Sequence, residues 1–310
     1  MRSATRAEPR WVTWSGSVIR RLPRGRYPLM NWVCRVPVRP FASPLRIAHA
    51  PLTFVCDLRD SIAREVCFMG HYEPQETALL RTLLQPGMSF VDVGANWGYF
   101  TLLAAERVGP RGRVAAFEPH PQLFAQLEEN VERNKLTWVT SRRVAIADRE
   151  GDVELTGFAE DSRNRGVSRI TAGVNSGGTV YRVPAGVLAA QLDGLGIDRV
   201  DLLKIDIEGA EAFVLPTLSA GLAAARYKRI LLELHPAALA EWKVDPRALI
   251  QPLLGHGYRA WRIDHSDAAA RRAGYETQGA DRCLQPYAPE GHVDSWPHFL
   301  FLAPGIERTW

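Results

Sequence analysis

The chain has 310 residues, 46% of them hydrophobic and 23% charged, with a net charge of +4 and four cysteines. That size and balance fit a folded core with an extension and exclude a disordered or disulfide-stapled chain. No apolar run approaches the ~18 residues that span a bilayer. The start, "MRSATRAEPRWVTWSGSVIRRLPRGR", lacks the apolar centre and small-residue cleavage site of a secretory leader. A cytoplasmic protein without a transmembrane segment is therefore expected, and Cys34, Cys56, Cys67 and Cys283 are too scattered for a metal or redox pair.

The charge is unevenly placed. Residues 1–50 hold ten arginines against one acid, Glu8, which puts about +9 there and leaves about −5 for the rest. Arg20, Arg21, Arg24, Arg26 and Arg35 alternate with Trp11, Trp14, Tyr27 and Trp32, a mixture that suits nucleic acid or an anionic membrane surface. Pro23, Pro28, Pro37, Pro40 and Pro44 interrupt any long helix. The preferred reading is a solvated arm that packs a few aromatics on the body; membrane contact by the arm stays open, and a nucleic-acid partner is not expected. Residues 1–70 are read as this extension and 71–310 as one domain.

From about residue 76 short apolar runs alternate with helix-period runs, the pattern of a parallel sheet with crossover helices. "ETALLRTLL" is a helix ended by Pro86-Gly87, "SFVDVG" a buried strand, and "YFTLLAAERVG" a helix with Gly109 as its C-cap. Strand "RVAAFE" leads to a helix opened by Pro121, with Leu123, Leu127 and Val131 at four-residue spacing. Strand "SRRVAIA" is followed by a polar, glycine-rich run, residues 157–178, long enough to be a functional loop. Then come helix "GVLAAQLDGL", strand "VDLLKID", helix "GAEAFVLPTL", strand "RILLELH", a helix around 248–254, strand "YRAWRI" and strand "HFLFLA". The fold class is α/β, doubly wound, with about seven strands and the last two antiparallel neighbours.

In such sheets ligands bind beyond the carboxyl ends of the strands, where strand order reverses. The first turn there reads "VDVGANWGYF", with Gly94 and Gly98 bracketing it. A dinucleotide fingerprint needs a glycine where Asn96 stands, and no G-x-x-x-x-G-K-[ST] loop occurs. Asp92, at the start of the turn, repels phosphate and suits an ammonium group. Glu118 lies roughly 20 residues past the glycines, where a carboxylate accepts bonds from ribose hydroxyls. Asp92, Gly94, Asn96, Gly98 and Glu118 together favour S-adenosylmethionine over NAD.

Read in order, "VDVGAN.GYF", "FEP.P" and "KIDIEGAE", with "RILLELHP" after them, resemble the FkbM family of S-adenosylmethionine-dependent methyltransferases over about residues 70–236. The resemblance implies a Rossmann-like class I methyltransferase sheet and O-methylation of a sugar, glycan or natural-product hydroxyl. It places Asp92 and Gly94 against the methionine part, Glu118 on the ribose, and Ala147 and Asp148 against the adenine. Asp148 reads equally as a strand-end acid opening the turn "DREG".

The remaining chemistry lies at two further strand ends, "KIDIEGAE" and "LELHP", which send Asp206, Glu208, Glu233 and His235 to one side of the crevice. Either His235 or Asp206 acts as general base, or Asp206 and Glu233 hold Mg²⁺ for the acceptor; metal-free catalysis is preferred. Glu211 reads as an acid at a helix start, Lys204 as an ion-pair partner, and His71 as a surface or gate histidine. Residues 157–178 and 265–296, with Tyr275 and Trp296, are candidate acceptor-binding elements. The competing readings are an NAD-dependent oxidoreductase on the same fold and a non-catalytic protein that binds nucleic acid or a membrane through its arm.

Overall fold

The computed structural model describes residues 6–22, 25–157, 169–170, 179–266, 269–270, 273, 280–288 and 297–308. Pro23 and Arg24, most of the 157–178 run, Tyr275 and Trp296 lie outside the described residues. Among the described residues one sheet has eight strands: β1 (Ser89–Val93), β2 (Arg113–Phe117), β3 (Val139–Arg142), β4 (Leu202–Ile205), β5 (Arg229–Glu233), β6 (Arg259–Ile263), β7 (Leu284–Tyr287) and β8 (His298–Leu302). Their order is β7-β6-β8-β5-β4-β1-β2-β3. From β3 to β5 neighbours run parallel, while β8 runs antiparallel between β5 and β6.

This is a doubly wound α/β fold, and its connectivity makes the site. The chain moves outward from β1 to β2 and β3, then returns to the other side of β1 for β4 and β5. Helices that follow β1 and β4 therefore leave on opposite courses, and a crevice opens at their carboxyl ends. Strand β4 is buried at every position, which is why "LLKI" shows no alternation. The pairing of "YRAWRI" with "HFLFLA" is antiparallel, as expected. The eighth strand, β7, comes from residues 265–296, the segment read as a candidate acceptor-binding element.

"SRRVAIA" is divided between two sheets. After β3 the chain turns away, and Ala145–Ile146 joins a four-stranded sheet with Gly151–Thr156, Arg169–Ile170 and Val180–Gly186. Val153, Leu155, Val183 and Ala185 form its small apolar face. The hairpin of 151–156 with 180–186 thus flanks the glycine-rich run, and the helix expected from "GVLAAQLDGL" begins later, at Leu188.

The N-terminal segment is more structured than an arm. Helices Arg10–Arg21, Arg26–Val33 and Ser61–Met69 pack with a three-stranded sheet of Arg6–Ala7, Phe41–Pro44 and Thr53–Cys56. Val12, Ile19, Phe41 and Phe54 share one continuous core with Leu79, Phe90 and Trp97 of the main body. The Phe54 ring stacks on Trp97 at 4.9 Å. Against the expectation for the arm, Val12, Ile19, Met30 and Val33 go inside while Trp14, Tyr27 and Trp32 stay exposed, although Trp11 does pack against the core.

A carboxamide ladder fixes this segment to the body. Gln126, Asn130 and Asn134 recur every four residues along the face of helix Pro121–Arg133 and its C-cap. Gln126 Nε2 donates to Val55 O and Asn130 Oδ1 accepts from Val55 N, both at 2.8 Å, while Asn134 bonds the N–H and the carbonyl of Thr53. The outer edge of strand Thr53–Cys56 is thereby satisfied by side chains in place of another strand.

Candidate active site

A cavity of about 460 Å³ lies at the carboxyl ends of β1, β2, β4 and β5, within the range of small-molecule sites. Gly94 and Glu118 both line it. Gly94 has φ +86°, and a Cβ there would lie 1.8 Å from the backbone oxygen of Asp206. The first turn can hug β4 only because Gly94 has no side chain. Gly98, at φ +98°, opens helix Tyr99–Val108, and a Cβ there would meet Leu127 at 2.6 Å.

Glu118 is held for its task by the turn. Its Oε2 accepts from the N–H of Asn96 and its Oε1 from the N–H of His120, each at 2.8 Å. Burial pushes the carboxyl up to about 7, against the pull of these two donors. Asn96, at φ +54°, accepts from the Trp97 N–H at 2.7 Å through its own Oδ1. Asn96 therefore shapes the turn and bridges it to Glu118.

Three of the sequence-based assignments fall elsewhere. Asp92 is buried one layer beneath the cavity wall, because strand alternation aims it at helix Tyr99–Val108, where Thr101 Oγ1 donates to its Oδ2 at 2.6 Å. It faces Lys204 across the β1–β4 register rather than a ligand ammonium. Ala147 and Asp148 also miss the wall: Asp148 is exposed and pairs with Arg149 at 3.2 Å. The departure of the chain from β3 brings Val144, Ala145 and Ile146 to the cavity in their place.

At the other end of the cavity Asp206, Glu208, Glu233 and His235 converge. His235 Nδ1 donates to Glu211 Oε1 at 2.7 Å, while Nε2 lies 3.2 Å from Glu233, 3.5 Å from Glu208 and 4.0 Å from Asp206. Burial alone would lower the imidazole's pKa, but the bonds to Glu211 and Glu233 and the charge of Asp206 raise it to about 11. At that value His235 carries its proton at neutral pH, which favours Asp206 over it as the general base. Glu211 is fully buried and orients His235, a role that its place at a helix start concealed. Lys204 Nζ pairs with Asp206 Oδ2 at 2.8 Å, as the sequence suggested. Burial and the charge of Glu233 raise the pKa of Asp206 above the ordinary range.

This donor set does not fit Mg²⁺. A hard cation of that size takes oxygen ligands and water, whereas the group whose ligand atoms lie within 4.8 Å of one another, Asp206, Glu208 and His235, includes a ring nitrogen.

Several contributors were not foreseen. Tyr72 lines the cavity, and so do Ser61, Ile62 and Glu65 of helix Ser61–Met69, so the N-terminal segment forms part of its rim. His71 is held neutral near pH 7, burial and Arg26 lowering its pKa to about 4. Behind Glu233, His298 sits opposite it across the β5–β8 register, with Nε2 3.8 Å from Glu233 and Nδ1 3.1 Å from Glu76. His265 stacks on His298 at 3.8 Å and bonds the same Glu76 oxygen at 2.7 Å.

A model of the methyltransferase FkbM domain matches residues 92–260, more than half of the chain and all of the strand ends just described. The chain belongs to the FkbM methyltransferase family. It is 31% identical over 207 residues to 31-O-demethyl-FK506 methyltransferase FkbM of Streptomyces tacrolimicus, covering 56% of this chain and 74% of that protein. It is 29% identical over 240 residues to AMB antimetabolite synthetase AmbE of Pseudomonas aeruginosa, covering 64% of this chain and only 11% of the much longer relative. The solved structure of methyltransferase FkbM from Methylobacillus flagellatus is 13% identical with a TM-score of 0.41, covering 93% of this chain and 60% of that one.

The residues present fit the S-adenosylmethionine of an FkbM methyltransferase. Gly94 leaves its part of the wall bare, and each Glu118 oxygen keeps a lone pair beyond the one used by the turn.

Proposed function

We propose that this FkbM-family protein is an O-methyltransferase for a hydroxyl of a small-molecule, sugar or glycan acceptor. The observation that carries the reading is the convergence of Asp206, Glu233 and His235 on the same cavity as Gly94 and Glu118. The Streptomyces relative's name specifies an O-demethyl natural-product acceptor, and that chemistry is carried to this chain as part of the proposal. When bound, S-adenosylmethionine supplies a methyl carbon made electrophilic by its sulfonium.

The chain's own residues then have separate tasks. Glu118 takes the ribose hydroxyls, and the Gly94 turn admits the donor close to β4. The acceptor oxygen attacks along the line of the bond that breaks, so positioning supplies much of the acceleration. Its proton passes to Asp206 Oδ1, the oxygen not engaged by Lys204. A carboxylate whose pKa is raised by burial is a better base than an exposed one. His235 stays protonated, held by Glu211 and Glu233, and offsets the charge that gathers around Asp206.

The test is turnover with radiolabelled donor over a panel of hydroxyl acceptors, alongside calorimetry with S-adenosylhomocysteine. Asp206→Asn is expected to lower kcat ~10²–10⁴-fold while leaving the affinity for S-adenosylhomocysteine within about threefold. Full activity in Asp206→Asn would overturn the base assignment, and no binding of S-adenosylhomocysteine by the wild type would overturn the donor.

A further inference from the structure

The N-terminal helices present a surface that the cavity does not use. Among the described residues the large apolar side chains that stand exposed are Trp14 (71%), Val18 (36%), Tyr27 (51%), Trp32 (66%), Val36 (52%) and Val180 (49%). Five of these six fall within residues 14–36. On helix Arg10–Arg21 the exposed residues Arg10, Trp14 and Val18 recur every four positions and Arg21 closes the row, so they form one stripe, with Val12 and Ile19 buried on the other face. Helix Arg26–Val33 packs beside it and contributes Tyr27 and Trp32, with exposed Arg35 and Arg39 following.

Charge selects the occupant of this face. Neither helix contains an acid, and Glu8, the one acid in residues 1–50, is engaged by Arg46 at 2.7 Å. Exposed indoles and aliphatic side chains therefore stand among arginines with no acidic residue of either helix beside them. A nucleic acid would use the arginines but has no place for Val18 and Val36. A second copy of the chain would bury the indoles but would bring like charges together. An anionic bilayer satisfies both groups, because indole rings sit at headgroup depth and arginines meet lipid phosphates. No described helix is long and apolar enough to cross a membrane, so these two helices would lie in the interface.

We propose that helices Arg10–Arg21 and Arg26–Val33 form an interfacial docking surface for anionic phospholipid bilayers. The cavity lies one layer away. Helix Ser61–Met69 packs on helix Arg10–Arg21 and lines the cavity rim, and the Tyr27 hydroxyl donates to Glu65 on that rim at 2.9 Å. Docking therefore holds the cavity rim beside the bilayer, where an amphiphilic acceptor would concentrate.

Flotation of the full chain with vesicles tests this without donor or acceptor. The chain is expected to float with phosphatidylglycerol/phosphatidylcholine vesicles and not with phosphatidylcholine alone, to shift its tryptophan emission to the blue, and to be released by salt as the Debye length shrinks. Trp14→Ala with Trp32→Ala should weaken binding at least about tenfold with an unchanged Tm, since both side chains are exposed. Arg10→Glu with Arg35→Glu should do the same. Failure to float with phosphatidylglycerol vesicles, or undiminished binding by the tryptophan double variant, would overturn the proposal. So would a stable dimer that dissociates in that variant, since the face would then belong to a second copy.

Discussion

Glu118 joins backbone geometry to ligand chemistry in one side chain. The ribose contact proposed for Glu118 requires the carboxylate, and burial raises its pKa to about 7. Affinity for S-adenosylhomocysteine should therefore rise as the pH increases through about 7, with a proton released on binding below that point. Glu118→Gln keeps the shape but removes the charge, and calorimetry should show about tenfold to hundredfold weaker binding with a flat pH profile. A variant that keeps the wild-type pH profile would move the titrating group elsewhere. Gly94 is constrained more severely. A methyl at Gly94→Ala meets the Asp206 carbonyl, backbone just past the end of buried β4, at a φ that costs L-residues about 1 kcal/mol or more on its own. That variant should lose several kcal/mol of stability, read as a depressed Tm or an insoluble product.

Among the elements, helix Pro121–Arg133 joins the N-terminal sheet to the glycine turn. Asn130 is fully buried, and besides its bond to Val55 its Nδ2 donates to Trp97 O at 2.8 Å. Asn130→Leu would leave both backbone groups without that partner, at about 1–3 kcal/mol each. The expected result is a denaturant midpoint lowered by roughly 2 kcal/mol or more of stability, with S-adenosylhomocysteine binding weakened as the turn loosens. No sequence pattern announced this contact. The alternation of apolar runs, the glycines of the first turn, Glu118 and the acids after β4 were legible because each is a local feature whose meaning is fixed by strand direction and spacing. The hairpin of 151–156 with 180–186 had a period-two pattern that the intervening polar run obscured. What stayed hidden depends on register between distant segments: Glu76 and His298 beside Glu233, Asn130 beside Val55, and helix Ser61–Met69 on the cavity rim. Asp92 shows the limit from the other side, since a one-residue alternation decides whether an acid faces a ligand or a helix.

Across the whole molecule the buried charges form one chain of contacts: Glu76 to His298, His298 to Glu233, Glu233 to His235, and His235 to Glu211. It links the first helix of the catalytic body, the last strand and the floor of the cavity. Burial alone would lower the pKa of His298, but Glu76, Glu233 and the more distant Glu73 raise it to about 9 from an ordinary value of 6.5. The stability this contributes is complete below about pH 6.5, where the unfolded chain is protonated too, and is lost as the pH rises through about 9. Glu76 is the same interaction seen from its partner. His298 and His265 hold its pKa down to about 2 against burial, so that contribution is present above about 4.5 and lost as the pH falls towards 2. Glu118 titrates too, its raised pKa imposing a cost that builds up as the pH rises from about 4.5 to 7 and persists above it, so the informative quantity is the difference between wild type and His298→Gln. Urea unfolding should show the wild type losing on the order of 3 kcal/mol more than the variant between pH 6.5 and 9. At pH 6.5 the variant should be weaker by a similar amount, because Glu76 is left buried without its cation. Parallel stability curves for the two proteins would show that His298 does not carry its proton in the folded state, and the contact chain would then end at Glu233.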